Sequence, residues 1–172
     1  NQNLKSKMWT IIKYKKDKLN LLKKDLIDKL GKEVKLYIPK IKYQKIRRNK
    51  MYYNEHCILG DYLLIFDEKL KKIENTNLIK YCKGLKFILE GFQNSQKEIN
   101  DFVNKCKSFE DNEGFLSQGF FEIFLNKSYK FLSGPFTGMI FNIIDIEQKK
   151  LKILIGSRST TVTRNRYIFS AV

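Results

Sequence analysis

Much familiar chemistry is excluded by what the chain has little of. It carries one histidine, His56, so a Ser–His or Cys–His nucleophile would have to use that residue. His56 stands beside Cys57, in a loop ahead of an apolar run, and nothing in this pattern suggests a carboxylate that orients it. It reads as an ordinary loop or packing residue. Cys57, Cys82 and Cys106 are odd in number, widely spaced and free of any CxxC pattern. That usage suits a reducing cytoplasm better than a disulfide framework or a zinc site. No Gly-rich phosphate loop occurs, because Gly134-Pro135-Phe136-Thr137-Gly138 lacks both the spacing and the Lys of one. The carboxylates Glu98 with Asp101, and Glu110-Asp111 with Glu113, sit where a helix face or turn is ordinarily charged. No catalytic group, metal or cofactor is expected, and the chain is read as a non-enzyme. No apolar run approaches the ~20 residues of a membrane span. The run Met8 to Ile12 is too short for a secretory core, so no membrane partner is expected.

Arginine is also scarce, and most of the positive charge is lysine. The formal net charge is +16, and its distribution matters more than its size. Residues 1–50 hold 17 Lys/Arg against four carboxylates, a net +13 that leaves only +3 for residues 51–172. A basic N-terminal third favours a polyanionic partner, because each neutralised phosphate releases condensed counterion. Lysine in place of arginine points to backbone contact rather than base reading. The candidate nucleic-acid residues are Lys15, Lys16, Lys18, Lys23, Lys24, Arg47 and Arg48.

Hydrophobic residues make up 42% and aromatics 13%, enough for a packed core rather than disorder. Met8 to Tyr14 reads as a strand, and Asp17 can cap a helix after it. Leu19, Leu22, Leu26 and Leu30 recur at helical spacing, and Gly31 ends the run. Val34 to Ile46 is extended and broken by Pro39, as in an edge strand. Arg47 to Lys50 is a basic turn. Tyr62 to Phe66 is a continuous apolar run, the mark of a central strand. Leu85 to Leu89 is a further strand, and Gln96 to Lys107 a helix. The order β-α-β-β-α-β with a late helix matches a ferredoxin-like α+β domain over residues 8–107. The acidic, turn-rich stretch Ser108 to Ser117 opens a partly apolar linker over 108–125. Five short β-like runs come next: Tyr129–Leu132, Met139–Ile146, Leu151–Ile155, Thr160–Thr163 and Tyr167–Phe169. They predict a small β-barrel over 126–172. In the turn after the first of them, Gly134 and Gly138 permit φ > 0, Pro135 fixes the bend and Phe136 can anchor it.

Taken together, Lys130 to Ser133, the turn Gly134-Pro135-Phe136-Thr137-Gly138, Met139 to Asp145 and Lys149 to Ile153 resemble the KOW domain of NusG-type transcription factors. The N-terminal part resembles the matching NGN domain. Trp9 heads the first strand, Ile38-Pro39-Lys40-Ile41 and the turn at Arg47 fall in register, and Gly60-Asp61-Tyr62 precedes the central strand. Gly84-Leu85-Lys86-Phe87-Ile88 matches a further family segment. The similarity runs over about residues 8–172, and the spacing from Pro39 to Phe66 is similar to that of the specialised RfaH branch. The resemblance implies a ferredoxin-like NGN domain followed by an SH3-like KOW barrel. It also implies a monomeric, cytoplasmic elongation or antitermination factor that grips bacterial RNA polymerase beside upstream or non-template DNA, or RNA. Polymerase-facing positions would be Lys13, Tyr14, Leu59, Tyr62 and Leu64, with Asn75, Thr76 and Asn77 toward the opposite lobe. The KOW domain would meet a ribosomal protein or termination factor, although its binding loop is shortened here to Ile155–Arg158. The alternative is a ribosome- or RNA-associated KOW protein. A membrane-surface role for the Leu19–Leu30 helix is disfavoured, because its leucines are needed to cover the sheet.

Overall fold

The computed structural model describes residues 8–172. In chain order the elements are β1 (Trp9–Tyr14), α1 (Leu19–Leu30), β2 (Lys35–Tyr37), β3 (Lys40–Arg47), β4 (Lys50–Cys57), β5 (Tyr62–Phe66) and β6 (Leu85–Ile88). Then come α2 (Gln96–Ser108), β7 (Ser128–Phe131), β8 (Ile140–Ile146), β9 (Lys150–Ile155), β10 (Arg158–Thr163) and β11 (Phe169–Ala171). The architecture is mixed, with two α-helices and three sheets among the described residues. The chain divides into two compact units. One holds the described residues up to Pro39 together with Cys57–Asn104; the other holds Lys40–His56 with Lys105–Val172.

In the first unit the strands lie in the order β2-β5-β1-β6, each pair antiparallel. Because side chains alternate along a strand, the sheet has two distinct faces. Ile12, Tyr14, Leu63 and Ile65 point to one face, where Leu22, Leu26 and Leu30 of α1 cover them. Trp9, Ile11, Leu64 and Phe66 point to the other, where Phe92 and the α2 residues Ile99 and Val103 pack. Each of the fully buried leucines contributes roughly 1.5–3 kcal/mol. The helix α1 ends as its sequence dictates: Gly31 takes φ 103° and donates its N–H to the Ile27 carbonyl at 2.8 Å. Its start differs from expectation. Asp17 lies inside a 3-10 turn (Lys16–Lys18), and α1 begins at Leu19 without a side-chain cap.

The connection from β5 to β6 stands where the β-α-β-β-α-β order has its second helix. It is two 3-10 turns, Glu68–Lys71 and Ile73–Leu78, the first capped by Asp67, whose Oδ1 accepts from Lys69 N–H at 2.8 Å. Asn75-Thr76-Asn77 are weak helix formers, and a short connection gains little from completing α-helical turns.

In the second unit a five-stranded antiparallel sheet runs β10-β9-β8-β7-β11. Alternation again selects the core: Tyr129, Phe131, Phe141, Ile143, Leu151, Ile153, Val162 and Phe169 are buried. Phe131 stacks on Phe141 with ring centroids 4.2 Å apart, and Phe169 meets Phe141 edge-on. The last strand is Phe169–Ala171; Tyr167, expected within it, lies before it and packs on the Gly134 turn. The stretch 109–124 is built into this unit. Glu110 bridges to Leu116, the Gln118 Oε1 accepts from Phe169 N–H at 2.8 Å, and Ile123 packs on the core. The β3–β4 hairpin, read from sequence as part of the N-terminal domain, groups here as well. Gln44 N–H donates to the Leu132 carbonyl at 2.6 Å, and Leu116 N–H to the Lys40 carbonyl at 2.8 Å.

Candidate macromolecular interface

The register of the first sheet sets Phe87, Lys13 and Tyr62 side by side on β6, β1 and β5. They share the face that α2 covers farther along, but lie toward the opposite end of β1 from Trp9. The Lys13 ammonium sits 5.2 Å from the Tyr62 ring centre and 5.8 Å from that of Phe87. Asp61 is the counter-charge, 3.9 Å from Lys13 Nζ and 3.2 Å from Lys86 Nζ. Partial burial works against the Asp61 carboxylate. The hydrogen bond from Lys86, with the charges of Lys13 and Lys86, outweighs it and holds the carboxyl below its ordinary range. Lys13 and Tyr62 are half-buried, while Phe87 is 46% exposed. The result is an aromatic patch fringed by lysines, held in place by one carboxylate.

The remaining polymerase-facing candidates separate. Leu59 is half-buried and packs against the α2-covered cluster. Tyr14 and Leu64 are in the core, with 2% and 1% of their surface exposed, and drop out of the candidate face. Tyr14 has the opposite parity to Lys13 and points beneath α1. Leu64 shares the parity of Tyr62, but α2 lies over it. Burial, followed by the neighbouring Cys57, pushes the Tyr14 phenol up to about 12.

Thr76 and Asn77 line an open groove of about 730 Å³ with Lys80, Tyr81 and the segment Leu85–Gln93. Asn75 does not line it; its amide donates to the Lys69 carbonyl at 2.6 Å and ties the two 3-10 turns together. The basic candidates divide between the units. Lys15, Lys16, Lys18 and Lys24 are exposed, and Lys23 half-buried, around the start of α1 in the first. Arg47 and Arg48 lie at the end of the hairpin in the second, exposed, with Arg48 and Asn49 at φ 50° and 57°. His56 lies exposed on β4 rather than in a loop.

The glycine turn in the second unit is held by its own atoms. Thr137 Oγ1 donates to the Gly134 carbonyl at 2.6 Å, and Gly138 N–H to the Phe131 carbonyl at 2.9 Å. The Phe136 ring packs on Phe131 and edge-on to Tyr167. Gly134 N–H donates to the Gln44 Oε1 at 2.7 Å, which ties the turn to β3. Pro135 and Gly138 are exposed. Among the described residues no group of three or more His, Cys, Asp or Glu is placed to hold a metal ion. No helix among them is long and apolar enough to cross a membrane.

Neither protein-family models nor curated proteins match the chain. Solved structures do align with it along most of their length. One is the MjSpt4:Spt5 complex in conformation B, at 11% identity and TM-score 0.32, covering 96% of this chain and 98% of that one. Another is Thermotoga maritima NusG, described for its domain interaction, at 14% identity and TM-score 0.34, covering 91% and 92%.

Sequence reasoning missed Phe87, Lys86 and Asp61 as members of the patch. Their signal was present: Phe87 is the aromatic in a strand whose neighbours Leu85 and Ile88 face inward. Only the pairing of β6 with β1, across more than 70 residues of chain, shows that it stands beside Lys13.

Proposed function

We propose that the chain is a non-enzymatic transcription elongation or antitermination factor of the NusG type. In this reading a ferredoxin-like NGN unit docks on bacterial RNA polymerase, and an SH3-like KOW barrel comes after it in the chain. The observation that carries it is the Phe87–Lys13–Tyr62 row with its Asp61 and Lys86 fringe, a partly exposed aromatic surface edged with charge, of the kind that macromolecular interfaces use. The groove past Thr76 and Asn77, which shares Lys86 and Phe87 with that row, offers a second contact, assigned to the opposite polymerase lobe. Factor docked at both sites would hold the polymerase closed and so alter pausing or termination. The lysines at the start of α1, with Arg47 and Arg48, are assigned to upstream or non-template DNA through phosphate contact, which adds affinity without sequence preference. The KOW unit's partner is assigned to the class of ribosomal proteins or termination factors.

The test is a pull-down with purified polymerase core, with and without a nucleic-acid scaffold, alongside isolated ribosomal subunits. Retention of polymerase core, strengthened by the scaffold, is the expected result. Retention of ribosomal subunits alone would replace this reading with that of a ribosome-associated KOW protein.

A further inference from the structure

The hairpin β3–β4 carries three large side chains that do not enter any core: Met51, Tyr52 and Tyr53, 55%, 49% and 60% exposed. Exposing two adjacent tyrosines on a short two-stranded ribbon sacrifices hydrophobic stabilisation, so an occupant that covers them has something to gain. Their setting narrows the choice of occupant. Lys45, Arg47, Arg48, Tyr52, Tyr53 and Asn54 together line an open concavity of about 540 Å³. From residue 45 to residue 54 there are four cations and no carboxylate. The nearest acid along β4, Glu55, is already paired with Lys40 at 2.7 Å.

The Tyr53 ring is also pre-positioned. The Tyr53 hydroxyl accepts from Gln44 Nε2 at 3.1 Å, and the Lys42 ammonium lies 5.3 Å from the Tyr53 ring centre. Lys42 is itself held by Glu113 at 2.6 Å. A ring fixed from its hydroxyl and flanked by a tethered cation loses little freedom when something stacks on it. Arg48 and Asn49 both sit in the left-handed region, the backbone of a two-residue hairpin turn whose twist matches the strands. That turn places Arg47 and Arg48 at the tip, next to the tyrosines.

We infer that this hairpin is a stacking site for unpaired DNA, with Tyr52 and Tyr53 under the bases and Lys45, Arg47 and Arg48 on the phosphates. The inference rests on the nucleic-acid assignment of Arg47 and Arg48 and adds the class of nucleic acid they meet. Aromatic rings need the flat face of a base, which a duplex hides between its neighbours and a single strand exposes. The cations attract any polynucleotide; the tyrosines select the unpaired one. The choice of DNA over RNA follows the assignment of Arg47 and Arg48 to upstream or non-template DNA.

Fluorescence anisotropy with the full chain and three labelled probes tests this: a 15-mer of oligo-dT, a 15-mer of oligo-U, and a blunt 15-base-pair duplex. Oligo-dT is expected to bind more tightly than duplex. Tyr52→Ala with Tyr53→Ala is expected to weaken oligo-dT binding by at least about tenfold, as loss of base stacking does, while the duplex affinity and the salt slope stay the same. Tyr52→Phe with Tyr53→Phe keeps the rings and is expected to bind as the parent does. That second variant guards against an alanine pair that fails to fold. Arg47→Gln with Arg48→Gln should weaken every probe and flatten the salt slope. Should the arginine pair matter while the alanine pair does not, stacking is overturned and the nucleic-acid assignment survives. If neither pair matters, both fail. Binding of oligo-U about tenfold tighter than oligo-dT overturns the assignment to DNA.

Discussion

The Gln96 side chain grips the backbone of Trp9 from both sides: its Oε1 accepts from Trp9 N–H at 2.7 Å and its Nε2 donates to the Trp9 carbonyl at 2.8 Å. A side-chain amide thus takes the place of a neighbouring strand at the start of β1. One turn later, Asn100 Oδ1 accepts from the Trp9 indole at 3.2 Å. The first turns of α2 are thereby fixed over Trp9 and Leu64. That arrangement divides the sheet face into a sealed part and the open Phe87–Lys13–Tyr62 row.

Replacing Gln96 by Ala removes both bonds to Trp9. At a net ~0.5–1.5 kcal/mol each, the variant should lose about 1–3 kcal/mol in urea unfolding. Trp9 is the sole tryptophan, so its emission reports the site directly, and a shift to longer wavelength should accompany the loss. An unchanged midpoint and unchanged emission would show that the amide clamp is dispensable.

How much of this was legible in the sequence is set by the range of each interaction. The leucines of α1 announce its length and its buried stripe, because every relevant neighbour is within a turn or two. The same holds for the alternation in β7 to β10. That Tyr14 turns inward where Lys13 turns outward is also readable, since parity along a strand is local. What covers Leu64 is not, because Gln96 stands 87 positions from Trp9 and nothing near either residue signals the pairing. The hairpin's association with the C-terminal sheet, through Gln44 and Leu132, was hidden for the same reason.

Placing a carboxylate in the open row should disrupt docking without disturbing the fold. Tyr62→Asp puts a second negative charge beside Asp61 and removes the ring that faces Lys13. Because Tyr62 is only half-buried, unfolding free energy should fall by no more than about 2 kcal/mol, while retention by polymerase core should drop at least tenfold. Leu59→Asp is expected to act alike on docking. Full retention by a folded Tyr62→Asp protein would remove the row from the interface.

The lysines around the start of α1 predict a definite salt response. If about four of them meet phosphate, the logarithm of affinity for single-stranded DNA should fall with log salt at a slope near −3. Replacing Lys15, Lys16 and Lys18 together by Gln should flatten that slope by about 2. A slope unchanged by the triple replacement would place the phosphate contacts elsewhere.

Tyr14 predicts a loss of stability in alkali. Its phenol is raised from 10.0 to about 12, first by burial and then by Cys57, so the folded state holds the proton more tightly than the unfolded chain does. A raised value means the contribution is fully present below pH 10 and lost as pH climbs through 12. The difference, about 2 pH units, corresponds to an order of 2–3 kcal/mol. Urea midpoints measured from pH 9 to 12 should therefore fall more steeply for the parent than for Tyr14→Phe, which has no proton to lose. Parallel curves would mean that the phenol ionises without cost.

Gly134 is the position where the glycine turn tolerates least. Its φ of 83° strains any residue with a Cβ, and an added Cβ would lie 2.3 Å from Tyr167 Cδ1. The two effects are separable by experiment. Gly134→Ala alone should cost about 2–4 kcal/mol, the sum of left-handed strain and overpacking. Tyr167→Ala alone loses the edge-on contacts with Phe131 and Phe136. In the double variant the collision vanishes and only the backbone strain and lost ring contacts remain. Its destabilisation should thus be smaller than the two single losses combined, by ~1 kcal/mol or more. Strict additivity would mean that Tyr167 moves aside freely, and that the turn excludes other residues through its backbone alone.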